Sequence, residues 1–264
     1  MNYAQVLRLR KALTIYGIVI GALFVLMFLI SHTPGGATFD DNGSPHTMAE
    51  ITSVPLSLLF FIAAWCAIIF ATIVSTSLNK EYDGVEMVWT KPIERGRLAL
   101  EYVLLDFAAI VVAFVSAAVL CVLCVASLGL LTRIAVDDRT IPTLVIGLGA
   151  AFMWYGLLEG ITAPMRGRGG TIMGVSWAAA LVLTALATAT QAGGGSAIHT
   201  ILIGLNIFNP LAYFSSYSLS GYGAHDSPVL PQVLAGTEMR MTMTWAIGMI
   251  GCAVAITGWK RLEA

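Results

Sequence analysis

Two acids interrupt apolar stretches long enough to cross a membrane, Asp106 and Glu159. An ionisable side chain in such a place is costly to keep, and it is a functional candidate by default. The chemistry open to it is carriage of a proton or ion, or a structural charge pair. Each acid lies about one turn from one end of its apolar run, and Arg166 and Arg168 follow Glu159 closely. That spacing favours pairing with snorkelling arginines over an ion path. No acid falls near an expected midplane, which argues against proton-coupled secondary transport.

Other reactive side chains carry less. Cys121 and Cys124, in "CVLC", share a helical face, but no further Cys or His in that span completes a ligand set. With Cys66 and Cys252 they read as small buried apolar residues. His32, His46, His199 and His225, with Met239, Met241 and Met243 in "EMRMTM", offer soft ligands that suit copper. Alternating Met at a helix start also serves as apolar filler, and that reading is preferred. Ser196 and His199 in "GGGSAIH" lack an acidic orienter within reach, so this stretch reads as a flexible turn. The "NGS" at 42–44 matters only in a eukaryotic secretory pathway. No catalytic residue and no metal site is expected.

The elements that hold these residues follow from composition. Hydrophobic residues make up 58% of the 264-residue chain and charged residues 11%, with mean hydropathy +0.84. Soluble domains carry about 25% charged residues, so the solvent here is lipid. The net charge of -1 gives no basic balance for nucleic acid. A spanning helix needs about 20 mostly apolar residues. Six stretches qualify, near 13–31, 54–76, 103–131, 141–163, 171–192 and 242–259. The fold class is therefore an all-α membrane protein, one transmembrane domain over residues 1–264. The apolar run that begins at 98 exceeds one span, so its first turns, with Arg97, Glu101 and even Asp106, are expected at the interface. The first span follows "RLRK", as a secretory signal would, but its apolar core is too long for one and reads as a retained anchor.

Lys and Arg then set the orientation. With the N-terminus in the cytoplasm, that side holds Arg8, Arg10, Lys11, Lys80, Lys91, Arg95, Arg97, Arg166, Arg168, Lys260 and Arg261. The opposite side holds Arg133, Arg139 and Arg240. Both termini fall in the cytoplasm. Residues 197–214 are apolar but broken by Asn206, Asn209 and Pro210 after a "GGGS" hinge, so a re-entrant or interfacial segment between the fifth and sixth spans is expected.

The densest charge lies between the second and third spans, in "SLNKEYDGVEMVWTKPIERGRLALEY". Tyr82, Val85, Val88 and Trp89 recur at helical spacing, with Glu81, Asp83 and Glu86 off that stripe. Residues 80–90 thus read as an amphipathic interfacial helix, and Pro92 as the kink before a new helix. A solvated loop that obeys the positive-inside rule is the plainer alternative.

This stretch resembles the cytoplasmic signature of the permeases of type-two ABC exporters: an acid, a Gly, a second acid, an apolar stretch, then Pro-[Ile/Val]-[Ser/Thr]-Arg. Glu81, Gly84, Glu86, Pro92, Ile93 and Arg95 stand in matching positions; Glu94 replaces the usual small hydroxyl residue. "FNPLAYFSSY" (208–217) is similar to a second family feature, an Asn-Pro before an aromatic stretch. The resemblance implies that Glu81, Tyr82, Gly84, Glu86, Trp89, Pro92 and Arg95 form a coupling helix docked on a separate ATPase dimer. It implies that Asn209, Pro210 and Tyr213 belong to an outer gate, although a plain packed cap fits them equally. It also implies a second permease copy or paralogous permease, a pathway lined partly by the first, second and fifth spans, and a multi-pass place in the bacterial plasma membrane. The chain has no G-x-x-x-x-G-K-[ST] phosphate loop. ATP and Mg are therefore expected in the partner, with no cofactor in this chain. An ATP-independent transporter or channel is the alternative reading.

Overall fold

A computed structural model describes residues 3–32, 38–39, 45–46, 53–80, 95–162, 168–191, 197–214, 229–234 and 236–261. Helices dominate: α1 (Tyr3–His32), α2 (Leu56–Lys80), α3 (Arg95–Ser127), α4 (Thr140–Thr162), α5 (Gly169–Gln191), α6 (Ala197–Leu205) and α7 (Thr237–Arg261). Six of them, all but α6, are long and apolar enough to cross a membrane. In lipid each backbone N–H and C=O must be satisfied within the segment, and a helix does this. Proline is kept out of the helix interiors: Pro55 precedes α2, and Pro142 sits in the first turn of α4, where its missing N–H costs nothing. The architecture is that of a multi-pass membrane protein.

α2 and α4 form the buried centre. Ala63, Ala64, Ala67 and Ala71 of α2 are fully buried, and small side chains let helices approach closely. Gly147 of α4 sits against Ala64: a methyl there would stand 2.7 Å from the alanine Cβ. The closest approach joins α4 to α7. A methyl at Gly156 would meet the Gly248 carbonyl oxygen at 2.5 Å, and one at Gly251 would meet the Gly156 carbonyl carbon at 2.5 Å. On α5, Ala178, Ala179, Ala185, Thr188 and Ala189 face outward, and the tight seam lies between α4 and α7.

Contacts fix the helix directions. Arg8 and Tyr16 of α1 meet Asp106 and Ala113 of α3, so these two run parallel. Asp106 meets Tyr155 while Phe114 lies near Gly147, so α3 and α4 run antiparallel. Gly149, Gly156 and Gly160 of α4 approach Trp245, Gly248 and Gly251 of α7 in the same order, so these run parallel. The start of α1, the end of α2, the start of α3 and the ends of α4 and α7 therefore gather at one end of the bundle.

The other end is tied by short strands. β3 (Val54–Pro55) pairs in parallel with β4 (Ile134–Ala135), and β1 (Thr38–Phe39) pairs antiparallel with β2 (Pro45–His46). Asp137 closes this end. Its carboxylate accepts the Ser57 N–H at 3.2 Å, the Ser57 hydroxyl at 2.6 Å and the Thr140 hydroxyl at 2.6 Å. A carboxylate here satisfies an orphan donor at the start of α2 and complements the helix dipole.

Candidate functional site

The buried face of α1 reads Arg8, Ala12, Tyr16, Ile20, a four-residue spacing that keeps all four on one side. Arg8 is thus carried into the bundle, where it is 4% exposed. Its Nη2 donates to Oδ1 of Asp106 in a buried salt bridge. The guanidinium also stands 5.3 Å over the Tyr102 ring, a cation–π contact. Asp106 lies on the buried stripe of α3 with Tyr102, Val103, Ala109, Ile110 and Ala113. Its second oxygen accepts the Tyr155 hydroxyl at 2.9 Å. The Tyr16 hydroxyl donates to the Ala113 carbonyl at 2.9 Å, which fixes the register of α1 on α3 two turns further along.

Glu159 follows Tyr155 by one turn of α4 and is 1% exposed. It interacts electrostatically with Asp106 and Arg8. Its Oε1 has no hydrogen-bond partner, and neither do Nε and Nη1 of Arg8. The site therefore gathers two carboxyls, one guanidinium and one phenol, closed off from solvent.

This arrangement bears on three expectations. Arg8 is not a free charge at the membrane surface: it is the buried partner of Asp106. Among the described residues the arginine that acts on Glu159 is Arg8; Arg168 is exposed, and Arg166 lies outside the described residues. Asp106 lies eleven residues inside α3, about 16 Å from its start at 1.5 Å per residue. The solvated start of α3 carries Arg97 and Glu101, a pair at 3.5 Å. The signal for Arg8 was in the sequence: it shares a four-residue stripe with Tyr16, the one other polar side chain on that face.

A second polar hub went unread. The Thr72 hydroxyl accepts Nε1 of Trp154 at 2.9 Å and Nε1 of Trp177 at 3.1 Å, and donates to the Ile68 carbonyl at 3.1 Å. One fully buried hydroxyl thereby links α2, α4 and α5. No spacing rule points to it, because its partners lie 82 and 105 residues away.

The interrupted segment forms α6, then 3-10 turns at Asn206–Phe208 and Pro210–Phe214. The Asn209 amide donates within reach of the Ala180 carbonyl, Thr184 Oγ1 and Asn206 Oδ1, at 2.8 to 2.9 Å. Its Oδ1 accepts the Leu211 N–H at 3.1 Å, a side-chain turn that suits the following chain. The Tyr213 hydroxyl donates to the Ile207 carbonyl at 2.9 Å. Asn209, Pro210 and Tyr213 are all buried, and Phe214 stacks near Phe61 and Trp65 of α2. The segment is thus packed against α5 and α2.

The connector residues Glu81, Tyr82, Gly84, Glu86, Trp89 and Pro92 lie outside the described residues, and Arg95 begins α3. His225, Ser196 and the 193–195 glycines also lie outside them. The His199 Nδ1 is 3.0 Å from Thr190 Oγ1. Met241 and Met243 pack against the core, while Met239 is exposed. Among the described residues no group of three or more His, Cys, Asp or Glu is placed to hold a metal. Cys66, Cys121 and Cys124 instead line an apolar cavity of about 420 Å³ between α1, α2 and α3.

No protein-family model, no curated protein and no solved structure matches the chain.

Proposed function

We propose that the chain is the membrane-spanning permease subunit of an ATP-driven exporter in the bacterial plasma membrane, powered by a separate ATPase dimer. The observation that carries this reading is the charged connector between Lys80 and Arg95, with Glu81, Gly84, Glu86, Pro92, Ile93 and Arg95 in the order of an exporter coupling helix. What supports it is the kind of element the connector joins. α2 is central to the core, and α3 carries Asp106. A push on a segment tied to both would reach the middle of the bundle.

In this reading both termini and the connector face the cytoplasm. Setting aside the buried Arg8 and Arg240, Lys and Arg still divide ten to two in that sense. α1 and α5 turn most of their apolar side chains outward, among them Ile18, Val25, Val175 and Leu181. Such faces suit lipid and a second permease copy, between which a substrate path would open. Tyr82 and Trp89 would seat the coupling helix, and Glu81, Glu86 and Arg95 would meet the ATPase. Asn209, Pro210 and Tyr213 would hold the outer gate closed.

The test is ATP turnover and export by the reconstituted permease–ATPase complex. Glu86→Lys is expected to uncouple the two while leaving the permease folded. Unchanged export in that variant counts against the assignment. A second reading, an ATP-independent transporter, draws on the buried charge cluster; it predicts transport by the permease alone in sealed vesicles.

A further inference from the structure

The cluster on α1, α3 and α4 is out of charge balance. With both carboxyls ionised it would hold two negative charges against the one positive charge of Arg8, all at or below 4% exposure. An uncompensated charge in an apolar interior is neutralised by uptake or loss of a proton far more cheaply than it is tolerated. Among the described residues no other cation acts on Glu159. Asp106 already has two partners, the Arg8 Nη2 and the Tyr155 hydroxyl. Glu159 Oε1 has none.

The groups facing Glu159 can be named element by element. α1 gives Arg8, α3 gives Asp106 with Tyr102 beyond it, α4 gives Tyr155 and α7 gives Cys252. α2 brings the hydroxyls of Thr72, Ser75 and Thr76 to its buried face, and α5 has no titratable side chain along its length. The side chains of Lys80, Lys260 and Arg261 lie outside the described residues. The one described cation that acts on Glu159 is Arg8, and one of its nitrogens is already committed to Asp106.

We propose that Glu159, set against the Arg8–Asp106 pair, is a proton-binding site that holds one exchangeable proton as a neutral carboxylic acid. The ligand is a proton rather than a metal cation, because a guanidinium stands at the site and too few oxygens surround it for a coordination shell. Release breaks the Glu159 O–H bond, leaves the electron pair on the carboxylate and passes the proton to a water molecule that enters as the cluster opens. The new charge then faces the two unused nitrogens of Arg8, Nε and Nη1. Arg8 is drawn from one carboxylate towards the other, and α1 shifts with it against α3 and α4. Proton occupancy and the docking of α1 are thereby linked. The inference stands on the cluster alone and does not depend on an ATPase partner.

Infrared spectroscopy of the purified protein in lipid nanodiscs tests this. Glutamate labelled with carbon-13 at the side-chain carboxyl is incorporated, and the C=O stretch of protonated carboxyl groups is recorded at neutral pH. Exposed carboxylates are ionised there and do not contribute. The expected result is one protonated-carboxyl band that moves with the glutamate label and is absent from Glu159→Gln and Glu159→Leu. No such band in the wild type overturns the proposal. So does a band that ignores the label, which would put the proton on an aspartate, or one that survives both substitutions. Absence of the band from the labelled wild type overturns the proposal even where a variant does not fold.

Discussion

Arg8 and Asp106 stand 98 residues apart in the chain and meet as an ion pair buried between α1 and α3. The pair does more than neutralise two charges. It anchors α1, whose remaining surface is mostly exposed apolar side chain, to the core of the bundle at one point. The Tyr16–Ala113 hydrogen bond holds it at a second.

Removing Asp106 leaves the buried Arg8 charge without its ion-pair partner. Asp106→Asn should destabilise the fold by about 3–5 kcal/mol, the usual cost of stranding a buried charge. The double variant Arg8→Met with Asp106→Leu should recover most of that loss, since apolar residues of similar volume often replace a buried pair without penalty. Thermal unfolding in detergent micelles measures both. Equal losses in the single and double variants would show that the pair is not what holds α1.

Thr72 accepts two indole N–H groups at once. Thr72→Val keeps the shape and leaves both donors without an acceptor, at a cost of about 1–3 kcal/mol for each orphaned group. The variant should melt earlier, and the emission of Trp154 and Trp177 should change, read in a background where the other tryptophans are replaced by Phe. An unchanged melt would mean that the indoles find other acceptors.

These contacts show where sequence reading succeeds and where it stops. Six spanning helices are legible because about 20 apolar residues in a row have few other uses. Asp106 and Glu159 stand out because a charge in such a run is costly. Their partners are harder to see. Arg8 lies beside Arg10 and Lys11, and a charge count treats the three alike; only the stripe through Ala12, Tyr16 and Ile20 turns Arg8 inward. The packing of α4 on α7 depends on Gly156 and Gly251, which look the same in sequence as Gly17 and Gly21 of α1, where a methyl would meet nothing within 4 Å.

That difference is itself testable. Gly251→Val should force α7 away from α4 and cost about 1–3 kcal/mol, as overpacking usually does. Gly17→Val, at an exposed position of α1, should leave the unfolding midpoint nearly unchanged in a lipid-like detergent. Equal effects at the two sites would contradict the close α4–α7 seam.

Asp137 predicts an acid dependence. Burial pushes its carboxyl up, but hydrogen bonds from Ser57 and Thr140 outweigh this and hold it below the ordinary carboxylate value. A depressed carboxyl stabilises the folded state fully above its unfolded value, about 3.9. That contribution is lost as pH falls below this range towards the lower folded value. At neutral pH Asp137→Ala should lose about 1 kcal/mol, the worth of a helix cap. The wild-type and variant unfolding curves should converge in acid, and a constant gap across pH would rule out this role.

The central claim is that the segment between α2 and α3 is the handle for an ATPase. A photo-crosslinking amino acid at position 86, activated in native membranes and followed by mass spectrometry of the adduct, tests it most directly. The account predicts an adduct with a polypeptide that carries a G-x-x-x-x-G-K-[ST] phosphate loop, lost when Glu81 and Arg95 are both reversed in charge. Crosslinks confined to extracytoplasmic proteins or lipid would contradict it.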